Sequence, residues 1–327
     1  MLRRQFAAAL GAAATLVLAG APAAAQEMKE ITFGIISTES TQNLRADWQP
    51  ILDAMERKTG MKVKAFFASD YAGIIEGMRF NKVHVAWYGN RAAIEAVDRA
   101  GGEVFAQMVN ADGTQGYYSN LIVHRDSNLR TLDDVLKNAK SLSFGNGDPN
   151  STSGFLVPAY YVFAMNKVDP KSAFRVMRSA NHETNALAVA NKQVDVATNN
   201  SENLEKIQQR FPDKFAELRV VWTSPLIPLD PLVMRSDLPA GTKQAIRNFF
   251  YTYGQTADEK AHLMKLSKLA GFRQSDNRQL IPIRQLDLFR EKTRIENDDK
   301  IAASEKATRI AEIDRRLAEL NAQLAAK

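Results

Sequence analysis

The chain has 327 residues, 45% hydrophobic and 24% charged, with 17 glycines, 11 prolines and no cysteine. This balance excludes a disordered, collagen-like or disulfide-stapled chain, and the length suits about two domains. The lack of cysteine excludes thiolate catalysis, cysteine-ligated metal sites and a lipid-anchored cysteine, and a net charge of +6 is too small to make nucleic acid the default partner.

Residues 1–25 open with Arg3 and Arg4, run through an apolar stretch from Phe6 to Leu18 and end in Ala23-Ala24-Ala25. A basic start, an apolar centre and a small-residue end define a secretory signal peptide, with cleavage expected after Ala25. The apolar stretch is short for a membrane anchor, with Gly11, Gly20 and Pro22 in and after it. The arginine pair leaves the general and twin-arginine export routes both open. Loss of Arg3 and Arg4 takes the charge to +4, and a periplasmic location is expected.

Strands are expected at Ile31 to Ser37, Val63 to Ala68 and Val83 to Tyr88, with helices at Trp48 to Thr59, Tyr71 to Phe80 and Arg91 to Ala100. The alternation restarts after Gly116. Tyr118 to His124 reads as a strand and Leu132 to Asn138 as a helix. Ser141 to Phe144 reads as a strand feeding a helix from about Ser153, and Arg219 to Thr223 as a later strand. Such alternation implies an α/β protein whose sheets are mixed, mainly parallel and flanked by helices. We divide it into a first lobe over residues 26–114, a second over 115–226, and a return to the first over 227–295. A C-terminal helical extension covers 296–327. From Thr242 the pattern is mostly helical, and Ile310, Ile313, Leu317, Leu320 and Leu324 form a short heptad seam. That seam suits either packing on its own lobe or pairing with a second copy.

The richest stretch is Gly145-Asn146-Gly147-Asp148-Pro149-Asn150-Ser151-Thr152-Ser153-Gly154, followed by an apolar run. A strand ends, the chain turns tightly, and three hydroxyl residues open a helix. Free N–H groups, the positive end of the helix dipole and hydroxyl donors together favour an anion. Simple N-capping needs only one of the three. No lysine follows the last glycine, so this is not a nucleotide P-loop. Neither a zinc H-E-x-x-H motif nor a G-x-S-x-G elbow is present. A Ser151–His182 pairing would leave a phosphoester hydrolase open, with Ser151 as nucleophile. His84, His124 and His262 read as structural. Trp87 reads as core, whereas Tyr71 and Tyr117 stand beside turns where a phenol can meet a ligand. Glu202 follows Asn199-Asn200-Ser201, and Asp230 lies in a crossover between lobes. These positions fall beyond strand ends, where open α/β sheets bind ligands.

FGIISTES (Phe33 to Ser40), DYAGIIEGMRFNKV (Asp70 to Val83), AWYGN (Ala86 to Asn90), FGNGDPNSTSGFLVP (Phe144 to Pro158), HETNALAVANKQVDVATNN (His182 to Asn200) and PLIPLDPL (Pro225 to Leu232) together resemble the periplasmic phosphonate-binding proteins of phosphonate ABC importers. The resemblance spans the mature chain and implies a two-lobed type II periplasmic-binding-protein fold. It also implies a binding protein rather than an enzyme, without metal or cofactor, that captures phosphonates such as 2-aminoethylphosphonate and delivers them to an inner-membrane permease. Ser151, Thr152 and Ser153 then hold the phosphonate. Tyr71, Tyr117 and His182 line the pocket, and Glu202 and Asp230 meet the ligand's ammonium. The same architecture could take phosphate, phosphite or methylphosphonate, which have no use for the acid pair. Paired C-terminal helices also occur in this family and support a homodimer. Hinges are expected near Asp112 to Gly116 and Ile227 to Pro231.

Overall fold

The computed structural model describes residues 28–325, so the signal peptide read above lies outside the described residues. The chain lays down β1 (Glu30–Ile35), β2 (Lys62–Phe67), β3 (Val85–Trp87) and β4 (Gly102–Asn110), then crosses through β5 (Gly116–Tyr117). There follow β6 (Ser119–His124), β7 (Ser143–Asn146), β8 (Val176–Ser179), β9 (Val196–Asn200) and β10 (Leu218–Thr223). The return runs through β11 (Ile227–Pro228) to β12 (Pro231–Arg235) and β13 (Leu269–Gln274). Eleven of the strands form two large sheets, ordered β13-β4-β12-β3-β1-β2 and β10-β6-β9-β7-β8, and β11 and β5 form a two-stranded ribbon. Both large sheets are mixed: β1 runs parallel to β2 and β3, and β7 to β8 and β9, while β12, β13, β6 and β10 pair antiparallel.

Strand alternation feeds a core on each face of each sheet. In the first, Ile31, Phe33 and Ile35 meet Leu44, Trp48 and Ile51 of helix Thr41–Thr59 and Phe249 and Phe250 of helix Ala240–Thr252. On the opposite face, Ala86, Val104 and Val233 pack on helices Tyr71–Arg79 and Asn90–Arg99. In the second sheet, Leu121, Val123 and Phe144 face one cluster, and Ile122 and Ala197 face helices His182–Ala190 and Ser201–Arg210.

Three elements depart from the sequence reading. The first long helix begins at Thr41 rather than near Trp48, because Ser40 caps it by accepting the Asn43 N–H. Its polar opening turns carry no apolar stripe of their own. Beyond Ser151 the helix is π-wound: Leu156 N–H reaches the Ser151 carbonyl and Val157 N–H that of Thr152. The late helical region is interrupted by β13 at the sheet edge.

The two crossings pair with each other, β5 antiparallel to β11. Gly116 is required there by close approach, since a Cβ would fall on the Ile227 carbonyl oxygen. Gly116→Ala should cost about 1–3 kcal/mol by overpacking, read as a fall of several degrees in Tm.

Helix Ala303–Ala325 folds back on helix Ile281–Glu296. Its Ile313 and Leu317 are buried and Ile310 and Leu320 partly buried against Leu288 and Ile295, whereas Leu324 is 48% exposed. Four of the five seam residues are thus used within the chain.

Candidate ligand-binding site

The hydroxyl loop is shaped by its glycines and its cap. Gly147 N–H donates to the Gly154 carbonyl at 3.0 Å, and a Cβ on Gly147 would lie 2.5 Å from that backbone. Ser151 Oγ accepts the Gly154 N–H at 2.9 Å. The opening turn leaves the first N–H groups, on Thr152 and Ser153, without intrahelical acceptors. All three hydroxyl residues are buried. Thr152 Oγ1 accepts the Arg91 N–H from the first lobe at 2.9 Å, and Ser153 Oγ accepts from Asn200 Nδ2 at 3.0 Å.

Asn200 organises the neighbouring histidine. Its Oδ1 caps the next helix by accepting the Asn203 N–H, which turns Nδ2 towards His182 Nε2 at 3.2 Å. Nε2 therefore accepts, and the ring proton sits on Nδ1, which has no partner among the described residues. Burial pulls the imidazole pKa down to about 4, so the ring is neutral. Ser151 Oγ lies 3.4 Å from Nε2, but no acid orients Nδ1 and the serine oxygen already caps the helix. A hydrolytic triad needs that acid.

Asp230 and Glu202 supply the carboxyl groups. Asp230, between β11 and β12, is only 7% exposed. It accepts the Trp87 indole N–H at 3.0 Å and the Tyr117 hydroxyl at 3.4 Å. Burial, with Glu202 nearby, pushes its carboxyl well above the usual range. Burial likewise raises Glu202 to about 7, against the pull of Lys206. Burial raises the phenols of Tyr71 and Tyr117 too, keeping both protonated as donors.

Ser151, Thr152, Ser153, Tyr71, Tyr117, His182, Glu202 and Asp230 all line one cavity of about 40 Å³ between the lobes. A single water needs roughly 10–15 Å³ on this measure. Trp87 corrects the core reading: it is half-buried, lines the cavity and holds Asp230. Thr38, Trp48, Asn200, Asn203 and Lys206 also line it and were not singled out from the sequence as ligand contacts. Of these, Thr38 Oγ1, Trp48 Nε1 and the Asn203 amide are buried without a hydrogen-bond partner among the described residues. Buried polar groups are rarely left unpaired, so the lining is built for a polar occupant. The remaining histidines act locally. His84 accepts the Thr32 N–H, His124 lies 3.1 Å from Glu217, and His262 meets the Tyr253 hydroxyl.

Two mixed-sheet lobes, joined by paired crossings and meeting over a polar cavity at their strand ends, define a two-lobed ligand-binding protein of the periplasmic type. Residues 33–280 match the family described as the periplasmic substrate-binding protein of phosphonate ABC transporters. The chain is 57% identical over 301 residues to the phosphonates-binding periplasmic protein of Escherichia coli K12, covering 92% of this chain and 88% of that one. It is 55% identical, with a TM-score of 0.90, to the crystal structure of a binding protein component of an ABC phosphonate transporter from Pseudomonas aeruginosa, covering 91% and 99%. The Prochlorococcus marinus protein PhnD1, solved in complex with methylphosphonate, shares the fold at 20% identity and a TM-score of 0.69, covering 79% and 97%. The chain belongs to the periplasmic phosphonate-binding proteins of ABC importers, a non-enzymatic family.

Proposed function

We propose that this protein captures aminoalkylphosphonates, with 2-aminoethylphosphonate as the fitting representative, and presents its closed form to an inner-membrane permease. The carrying observation is that one cavity combines an anion-favouring hydroxyl loop with two buried carboxyl groups. Buried hydroxyls and a helix start line it, and so do Glu202 and Asp230, which have no guanidinium or ammonium bonded to them among the described residues. Lys206, the nearby cation, is engaged by Glu39 and Asp47. A zwitterion with a tetrahedral anion at one end matches this arrangement, and charge-assisted hydrogen bonds of about 1.5–3 kcal/mol each make both ends count. Phosphate, phosphite or methylphosphonate would leave two buried carboxylates facing an anion.

A thermal-shift panel of these ligands on the mature chain tests the reading. At a thousandfold excess over Kd, a ligand adds about 4 kcal/mol of stability. 2-Aminoethylphosphonate should act at the lowest concentration; a stronger effect of phosphate or phosphite would refute the proposal. Thr152→Val should weaken every phosphonate by about 10- to 100-fold, because it removes a donor at the shared anion end and the acceptor for Arg91. Unchanged calorimetric affinities would refute the loop's role. Export with cleavage after Ala25 predicts a mature N-terminus at Gln26, checked by intact mass. Pairing of two copies through the C-terminal helix would rest on exposed Leu324, since the rest of the heptad seam packs within the chain. Removing residues 303–327 should then halve the mass in solution, and an unchanged mass would dismiss the dimer.

A further inference from the structure

Beside the cavity, four charged side chains from two lobes meet, three of them buried and Arg210 partly exposed. Glu39, after β1, is 4% exposed, and Asp47, on the inner face of helix Thr41–Thr59, is 1% exposed. Both belong to the first lobe. Lys206 and Arg210 project one turn apart from helix Ser201–Arg210 of the second. Lys206 Nζ lies 2.9 Å from Glu39 and 3.1 Å from Asp47; Arg210 bonds Glu39 and lies 2.5 Å from Asp47. Each cation thus bridges both carboxylates, and the formal charge of the quartet is zero. Burial pulls the Lys206 ammonium down, but Glu39 and Asp47 more than offset it and leave its pKa raised. A second clasp adjoins it: Glu183 of the second lobe accepts the Ser40 N–H at 3.2 Å and the Asn43 amide at 2.6 Å. The polar opening of helix Thr41–Thr59 is therefore bonded to the opposite lobe.

We infer that Glu39, Asp47, Lys206 and Arg210 form an interlobe latch whose charge balance sets how readily the cleft closes, and hence the affinity for every ligand alike. The inference rests on the reading that the cleft closes over a phosphonate. All four pairs run from one lobe to the other, so opening breaks all of them together and returns four charges to water. A buried pair gains little over its desolvation cost, so the intact latch leaves closure reversible. One missing partner instead leaves an uncompensated buried charge in the closed state alone. Apparent affinity scales with the population of the closed state. Asp47 and Arg210 do not line the cavity, which makes them the informative positions. They act as positioning residues, through closure, without touching the ligand.

The test is calorimetry of Asp47→Asn, Arg210→Met and the double variant with 2-aminoethylphosphonate and methylphosphonate. X-ray scattering follows ligand-induced compaction in parallel. Each single variant should weaken both ligands by one common factor, about 10- to 100-fold, and need correspondingly more ligand to compact. The double variant restores a neutral cluster and should recover most of the loss. Losses that differ between the ligands, unchanged affinities, or a double variant as weak as the two singles combined would overturn the latch. Failure of the wild-type chain to bind either phosphonate would instead overturn the reading of the site.

Discussion

Asp230→Asn is expected to weaken 2-aminoethylphosphonate by about 10²- to 10³-fold and methylphosphonate by less than about tenfold. The carboxylate sits at 7% exposure with one indole and one phenol as its donors. Neither donor carries charge, so the anion is solvated by dipoles alone and is held well above its ordinary pKa by burial and by Glu202. An ammonium relieves both effects, and the asparagine amide offers it only a neutral acceptor. Two charge-assisted contacts of about 1.5–3 kcal/mol, partly replaced, give the stated range. The amide also presents an NH₂ group to one of Trp87 and Tyr117, but that cost is common to the free and bound states and largely cancels in Kd. Calorimetry with the two ligands decides the matter. Equal losses would show that Asp230 shapes the cavity without selecting its occupant.

The anion end of this site was legible in the sequence because its causes are local. A glycine turn, a cap and a helix start lie within ten consecutive residues, and backbone geometry follows from them. The carboxylate end was not legible on the same terms. Glu202 and Asp230 each look like a surface acid until strand order is known, and it took a resemblance between whole motifs to single them out. Trp87 was misread for a related reason. Its ring packs 5.5 Å from that of Trp48, as a core residue's would, while its N–H serves a carboxylate more than a hundred residues away. The insertion of β12 between β3 and β4 brings that carboxylate to the cleft, and nothing in the local pattern of Pro231–Arg235 encodes it. The charged quartet was invisible for the strongest version of this reason. Asp47 shares the buried stripe of its helix with Leu44 and Ile51, but the cation that meets it, Lys206, is 159 positions away, and no local pattern pairs them. The π-wound turn after Ser151 likewise had no signature beyond hydroxyl and glycine content.

The affinity for 2-aminoethylphosphonate, taken relative to methylphosphonate, should fall roughly thirtyfold between about pH 8 and about pH 5.5. Burial raises Glu202 to about 7, so below that pH the free protein holds a proton on this carboxyl. An ammonium favours the ionised form, so its binding expels that proton and becomes harder as protons become abundant. Asp230, displaced further in the same direction, extends the rise of affinity to higher pH. Methylphosphonate brings no cation, and the ammonium lowers the second phosphonate pKa of the amine ligand, so the ratio isolates the acid pair once each constant is corrected for its ligand's own titration. Glu202→Gln should flatten that ratio over the lower part of the range. A flat ratio in the wild-type chain, or one that the variant leaves unchanged, would refute the linkage. The ligand-free protein carries the opposite dependence. A carboxyl whose pKa rises from 4.5 to about 7 on folding contributes stability that is complete below 4.5 and lost as the pH climbs through about 7. Ammonium binding recovers part of that loss, so the thermal shift given by 2-aminoethylphosphonate, and not by methylphosphonate, should grow with pH across this window.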